Sequence, residues 1–331
     1  MTIALDAMGG DHAPDEIVKG AQLAVQNFDV AVVLVGNEGV LSSYNIDHPN
    51  IKIVHAADII SMDEAPLQAY KKKKNSSIHV GLELVKNNQA DAFISAGNTG
   101  AVMSCSLFIL GRIPGVDRPA LASLIPTKKG HALMLDMGSN VDSKPMHLEQ
   151  YALMGHFFSS QVLHVNQPRV GLINIGEEAE KGNQLTQDAY GCLSRNSTIN
   201  FIGNLEGKDI LFHKADVIVC DGFVGNALLK FGEGLVEFIL TEIKHSIING
   251  SLLSRLGGVL LRPVFQTLKK RIDYEEYGGA PLLGINGVSL VAHGKSKEKA
   301  IYSAIRTAME SVESDMIQKM SMAIHSEYAN Q

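Results

Sequence analysis

Short apolar runs rich in β-branched residues alternate with amphipathic helical stretches along most of the chain, and this alternation restricts the fold more than any other feature. Residues 2–5, 31–35, 51–54, 92–95, 132–135, 170–173, 199–202 and 217–220 read as strands. Several are almost continuously hydrophobic, as strands covered on both faces must be. Helical patterns fall between them at 14–27, 76–87, 99–110, 146–162, 184–194 and 225–245. Pro14 suits a first helical turn, with Asp15 and Glu16 on the positive end of the helix dipole. Such alternation predicts an α/β fold with a mostly parallel sheet and helices on both faces, a three-layer α/β/α sandwich. Residues 246–277 break the rhythm. A strand pair at 282–285 and 288–291 and a last helix at 296–320 follow. The expectation is one domain over 1–331 with a helical protrusion near 246–277.

Open parallel sheets bind ligands beyond the carboxyl ends of their strands. The unusual residues of this sequence sit there. Asp6, Gly9, Gly10, Asp11 and His12 follow the first strand. Ser95, Gly97, Asn98, Thr99 and Gly100 follow the strand at 92–95. Asp136, Gly138 and Asn140 follow 132–135. Gly176, Glu177 and Lys181 follow 170–173, and Asp221, Gly222, Gly225 and Asn226 follow 217–220. Glycine lets backbone amides approach a ligand, and a helix N-terminus favours an anion. Any one such turn is more simply a helix cap. Their recurrence at strand ends predicts an anion-binding crevice.

Several chemistries are excluded. No G-x-G-x-x-G follows the first strand, and Gly294-Lys295-Ser296 lacks the first glycine of a P-loop because Ser289 stands there. There is no G-x-S-x-G elbow and no metal-ligand spacing of His or Cys, so neither a metal nor a cofactor is expected. A net charge of −6 argues against nucleic acid as a partner. Three unspaced cysteines, no signal-type leader and no spanning apolar run predict a cytoplasmic protein.

The stretches LDAMGGDHAP (5–14), SAGNTGA (95–101), GVDRPAL (115–121), LDMGSN (135–140), NIGEEAEKG (174–182), CDGFVGN (220–226) and GGAPLLGINGVSLVAHGKS (278–296) run in one order through nearly the whole chain. Together they resemble the PlsX-type acyl-ACP:phosphate acyltransferases, with Ser139 where that family usually has Ala. The resemblance implies a homodimer with a Rossmann-like fold of the isocitrate/isopropylmalate dehydrogenase kind. It implies transfer of a long-chain acyl group from acyl carrier protein to inorganic phosphate. The acyl phosphate would then pass to a membrane glycerol-3-phosphate acyltransferase of the PlsY type, feeding phospholipid synthesis. Competing functions are an acetyl-CoA phosphotransacetylase, a nicotinamide-dependent decarboxylating dehydrogenase and a non-catalytic scaffold for lipid enzymes.

Such a reaction needs positioning and electrostatics more than a strong base. Gly9, Gly10, Asn98, Thr99, Gly100 and Asn226 are the expected donors to phosphate or oxyanion, and Lys181 offsets charge. Asp6, Asp11, Asp136 and Asp221 are expected to orient donors rather than touch phosphate. His12 and His293 are alternatives for protonating the leaving sulfur. In the protrusion, Leu253, Leu256, Leu260, Val264 and Leu268 share one helical side and Arg255, Arg262 and Lys269 the opposite one, with Lys270 flanking it and Arg271 closing the run. Gly257, Gly258 and Pro263 favour two short helices over one. This element suits an anionic membrane surface, carrier-protein docking or dimer packing, and these uses can coexist. The run Lys71–Lys74 reads as a solvated helix end rather than a docking patch.

Overall fold

A computed structural model describes residues 1–272 and 278–328 of the chain. The first part alternates as β1 (Thr2–Asp6), α1 (Asp15–Asn27), β2 (Ala31–Gly36), α2 (Glu38–Leu41), β3 (Ile51–His55), α3 (Pro66–Lys72), α4 (Ser77–Lys86), β4 (Ala92–Ser95) and α5 (Thr99–Ile109). The middle holds β5 (Ala120–Thr127), β6 (Gly130–Leu135), α6 (Pro145–Gln161), β7 (Arg169–Ile173), α7 (Gln184–Arg195), β8 (Asn200–Leu205) and β9 (Val217–Val219). Then come α8 (Gly222–Asn249), α9 (Leu252–Leu260), α10 (Arg262–Ile272), β10 (Ala280–Leu283), β11 (Val288–Val291), α11 (Glu298–Glu313) and α12 (Met316–Tyr328).

The eleven strands among the described residues form one sheet, ordered β3-β2-β1-β4-β11-β10-β5-β6-β9-β7-β8. Helices cover both faces. Ala4, Phe93, Ala132, Met134 and Ile218 face α3, α4, α5 and the start of α8. On the other face Ile3, Leu5 and Ile94 meet α1 and α11, and Leu133, Leu135 and Val170 meet α6, α7 and α12. The alternation of these residues along each strand is the period-two rule at work on a sheet buried on both sides.

The pairing is mostly parallel but divides into two blocks. Strands β3, β2, β1, β4 and β11 run one way. Strands β6, β9, β7 and β8 are parallel to each other. Between the blocks, β11–β10, β10–β5 and β5–β6 are all antiparallel. An odd number of reversals leaves the second block running opposite to the first. The strand ends expected in one crevice therefore lie at two opposite edges of the sheet.

Three local expectations are corrected. A further strand, β5, lies outside the expected set; its Pro126 falls near the strand's end, opposite His131 on the β5–β6 hairpin, where a missing N–H is tolerated. The last helix is two helices, because Asp315 takes a left-handed conformation with φ 50° between α11 and α12. Helix α8 begins at Gly222 rather than 225, since Asp221 caps it by accepting a hydrogen bond from the Val224 N–H at 2.9 Å. It continues unbroken to Asn249, so the helical protrusion grows out of α8. As expected, α9 and α10 are separate helices, but they part at Leu261: Gly257 and Gly258 lie inside α9, and Pro263 stands in the first turn of α10. Among the described residues, no helix is long and apolar enough to cross a membrane.

Candidate active site

At the edge where β1, β4 and β11 end, Asp6 is the organising group. Its carboxylate is buried and accepts hydrogen bonds from the Met8 N–H at 3.0 Å and the Ser95 hydroxyl at 2.6 Å. The Ser95 oxygen in turn accepts from the Gly97 N–H at 3.0 Å. Burial pushes the Asp6 pKa up, against these hydrogen bonds. Gly9 lies flat on this turn: a Cβ there would collide with the Asp6 carboxylate and sit 2.7 Å from the Gly97 nitrogen. Gly10 needs its left-handed φ of 102°, which lets the Asp11 N–H donate to the Gly294 carbonyl at 2.7 Å. Asp11, His12, Thr99 and His293 are exposed on the rim, and Gly100 packs against Pro66. His293 is held below the ordinary histidine range by partial desolvation, opposed by Glu233 and reinforced by Lys230.

Asn98 takes a different part from the one expected. Its Oδ1 accepts from the Ala101 N–H at 3.0 Å, capping α5. Its Nδ2 donates to the carbonyls of Ser61 (3.1 Å), Met62 (3.0 Å) and Glu64 (3.0 Å). The amide therefore fastens the loop before α3 instead of presenting donors to an anion.

The opposite edge carries the ends of β6, β9 and β7 side by side. Asp136 is buried and accepts from the Ser139 N–H (2.7 Å), the Asn140 N–H (2.7 Å) and the Asn140 Nδ2 (2.8 Å). Burial raises its pKa as well. Asn140 also donates to the Pro119 carbonyl at 2.9 Å, and its own carbonyl accepts from the Gly222 N–H at 2.9 Å. Gly222 and Gly225 exist for close approach: a Cβ at 222 would meet the Asn140 backbone, and one at 225 would collide with the Asp136 carbonyl oxygen. The start of α8 thus lies directly on the loop that Asp136 shapes. Gly138 stands in van der Waals range of the Asn226 side chain with φ 114°.

On the neighbouring loop, Asn174 donates to the Lys181 carbonyl at 2.9 Å, and the Lys181 side chain passes over Gly176. Glu177 is drawn away to Lys214, 2.8 Å distant. Lys181 and Asn226 are both exposed, and neither side chain has a hydrogen-bond or ion-pair partner among the described residues. Among the described residues no cluster of three or more His, Cys, Asp or Glu is placed to hold a metal.

Helix α8 runs from the second edge toward the first. His293 at the first edge senses Lys230 and Glu233, whereas Asp221 and Asn226 sit at the second. From Asp221 to Glu233 the helix rises about 18 Å, which is the length of an ordinary strand. One phosphate cannot touch both edges of one chain. The structure keeps the predicted residues in two constellations, Asp6, Gly9, Gly10, Ser95, Gly97, Gly100 and His293 at one, Asp136, Asn140, Asp221, Asn226 and Lys181 at the other. Gly138, expected at a strand end but given no role there, belongs with the second. Lys230 and Glu233 had no sequence signal, being some sixty residues from His293.

The model of a family described as fatty acid synthesis protein matches residues 1–319. A phosphate acyltransferase of Thermoanaerobacterium thermosaccharolyticum is 49% identical over 317 residues, covering 96% of this chain and 95% of that one. Another, of Heliobacterium modesticaldum, is 51% identical over 322 residues, covering 96% of each. The chain belongs to the PlsX-type phosphate acyltransferase family. It is therefore an acyltransferase enzyme. In fold, this acyltransferase is similar to a phosphotransacetylase from Streptococcus pyogenes (TM-score 0.64, 16% identity, 95% of this chain and 94% of that one). The EutD phosphotransacetylase from Staphylococcus aureus gives a TM-score of 0.62 at 16% identity and the same coverage.

The protrusion of this acyltransferase presents Leu256 and Leu260 to solvent, and α9 buries none of its residues. Arg255 and Arg262 line a cavity of about 630 Å³ with Ile247, Ile248, Val259 and Phe265. The side chains of Lys269 and Lys270 lie outside the described residues.

Proposed function

We propose that this acyltransferase moves a long-chain acyl group from acyl carrier protein to inorganic phosphate at the edge where β6, β7 and β9 end. The observation that carries this assignment is the division of labour among the polar groups there. Asp136 and Asn140 are engaged in shaping loops, and Asp221 caps α8. Asn226 and Lys181 alone among the predicted residues of this edge keep an unengaged amide and an unengaged ammonium facing outward. An amide donor and a cation suit a phosphate dianion and the oxyanion that forms beside it.

In the reaction, a phosphate oxygen attacks the thioester carbonyl, the tetrahedral oxyanion collapses, and the C–S bond breaks. The proton of hydrogen phosphate ends on the released thiol. Lys181 offsets the phosphate charge, and Asn226 donates to phosphate or oxyanion. The α8 flank between the two edges is the path for the thioester-bearing arm of the carrier. The acyl phosphate is then the substrate of a membrane glycerol-3-phosphate acyltransferase, and the enzyme works as a homodimer with its protrusion close to an anionic membrane surface.

The test mixes purified protein with palmitoyl-ACP and follows free carrier thiol with and without phosphate, trapping acyl phosphate as its hydroxamate. Phosphate-dependent thiol release with hydroxamate is the expected result. A folded sample that releases no thiol with palmitoyl-ACP but forms acetyl phosphate from acetyl-CoA would move the donor to acetyl-CoA.

A further inference from the structure

The basic run after α3 has a geometry that a solvated helix end does not need. Lys73 turns inward, donating to the Ile59 carbonyl at 2.6 Å and to Glu64 at 2.9 Å. Lys73 thus closes residues 59–73 on themselves, and Asn98, holding three carbonyls of the same loop, ties them to the body of the protein. Lys74 is also fixed, with its ammonium 3.7 Å from the centre of the Tyr70 ring. Tyr70 stacks on Phe108 at 4.8 Å.

Around this scaffold Lys71, Lys72 and Lys74 face solvent, and no carboxylate among the described residues lies within ion-pair range of any of them. Glu64 is neutralised by Lys73, which leaves Asp63 as the acid on that loop. Leu67, 54% exposed, and Phe108, 50% exposed, supply apolar surface beside the cations. Three unneutralised cations on a braced apolar patch, in a chain of net charge −6, form a local reversal of sign. Apolar anchors ringed by charge of one sign select a protein partner of the opposite charge.

The position selects the partner. Pro66 at the start of α3 packs on Gly100, and α3 is about 10 Å long. A protein seated on Lys71 and Lys72 therefore stands one short helix from Gly97 and Gly100, at the end of the α8 flank. We infer that Lys71, Lys72 and Lys74, with Leu67 and Phe108, form the docking surface for the acidic acyl carrier protein, an inference that rests on the donor assigned above.

The test is fluorescence anisotropy of labelled holo-carrier protein binding to the full chain, without acyl group or phosphate, so that turnover is not required. Lys71→Glu with Lys72→Glu is expected to raise Kd at least tenfold, and Lys71→Ala with Lys72→Ala several-fold. The wild-type Kd is expected to rise between about 50 and about 300 mM salt. Arg255→Glu with Arg262→Glu is expected to leave carrier binding within twofold. An unchanged Kd in both lysine variants overturns the inference, as does a loss confined to the arginine variant, which would put the carrier on the protrusion. Lysine variants that lose anionic-vesicle sedimentation but keep carrier binding would make the patch a lipid surface instead. Carrier binding that follows the lysines without phosphate-dependent thiol release defeats the reaction but not the docking surface. Thiol release with lysine-independent binding does the reverse.

Discussion

Asp6 and Asp136 stand at corresponding strand ends but hold their loops in chemically different ways. Asp6 is held by the Ser95 and Ser77 hydroxyls and by the Met8 and Gly9 N–H groups. Both hydroxyls can rotate to accept from an amide, so Asp6→Asn keeps most of its hydrogen bonds and relieves a buried charge. Asp136 accepts from two N–H groups and an amide. An asparagine there must turn its NH₂ toward donors and leave at least one unsatisfied. Asp136→Asn is thus expected to cost about 2–3 kcal/mol and Asp6→Asn less than about 1 kcal/mol in urea unfolding. Burial raises both pKa values above the ordinary 3.8. A raised carboxylate pKa means that the folded state keeps a proton the unfolded chain has lost. The contribution is full below about 3.8 and is lost as pH rises through the folded pKa. Asp6→Asn should flatten that fall in a series of unfolding midpoints against pH; an unchanged slope would mean that Asp6 is not a contributor. Asn226 and Lys181 behave oppositely, since nothing in the fold leans on their side chains. Asn226→Ala and Lys181→Ala are each expected to lower kcat/KM about 100-fold with unfolding midpoints near wild type; full activity in either removes that residue from the site.

Helix α8 starts on one constellation and runs toward the other. Its first turn is fixed by the Asp221 cap and by two glycines that let it touch the Asp136 loop. Asp221→Ala is expected to cost about 1 kcal/mol. Gly225→Ala must lift the helix off the Asp136 carbonyl, so a larger loss of stability and loss of activity are expected together. A Gly225→Ala protein as stable and active as wild type would show that the helix is free to shift. The sequence made the strands and the helices legible because their apolar periods differ, and the strand-end residues stood out because Gly and Asp seldom end buried strands without a use. Strand direction was not legible. It depends on how crossovers return the chain, and three successive antiparallel pairings through β10 and β5 reverse the second block without leaving a local signal. Asn98 shows the same limit at the scale of a side chain: its sequence context fits a donor to anions and a loop fastener equally well, and only the positions of the Ser61, Met62 and Glu64 carbonyls decide. The start of α8 was masked because Gly222 and Gly225 read as loop residues until the surface they approach is known.

At the scale of the whole molecule the unbalanced feature is apolar surface along α8. Over 28 residues this helix buries Gly222 and Gly225 alone, yet Phe231 is 70% and Phe238 61% exposed, with Leu235 and Ile239 beside them. Contiguous apolar surface of this size signals a partner. Two positions separate the needs of its two ends. Phe231 and Phe238 are seven residues apart and so lie on one face of the helix, on the stretch that leaves the body of the protein, whereas Leu256 and Leu260 belong to α9 beyond it. A second copy of the chain pairing α8 with α8 would cover the phenylalanines and leave α9 uncovered for a membrane surface. Phe231→Glu with Phe238→Glu is accordingly expected to convert a dimer to a monomer in sedimentation velocity at about 10 µM. Leu256→Glu with Leu260→Glu should leave the dimer intact and reduce co-sedimentation with anionic liposomes. If the wild type sediments as a monomer, α8 is not the dimer surface; if the leucine variant loses the dimer instead, α9 lies inside the interface and the protrusion is not free to meet a membrane.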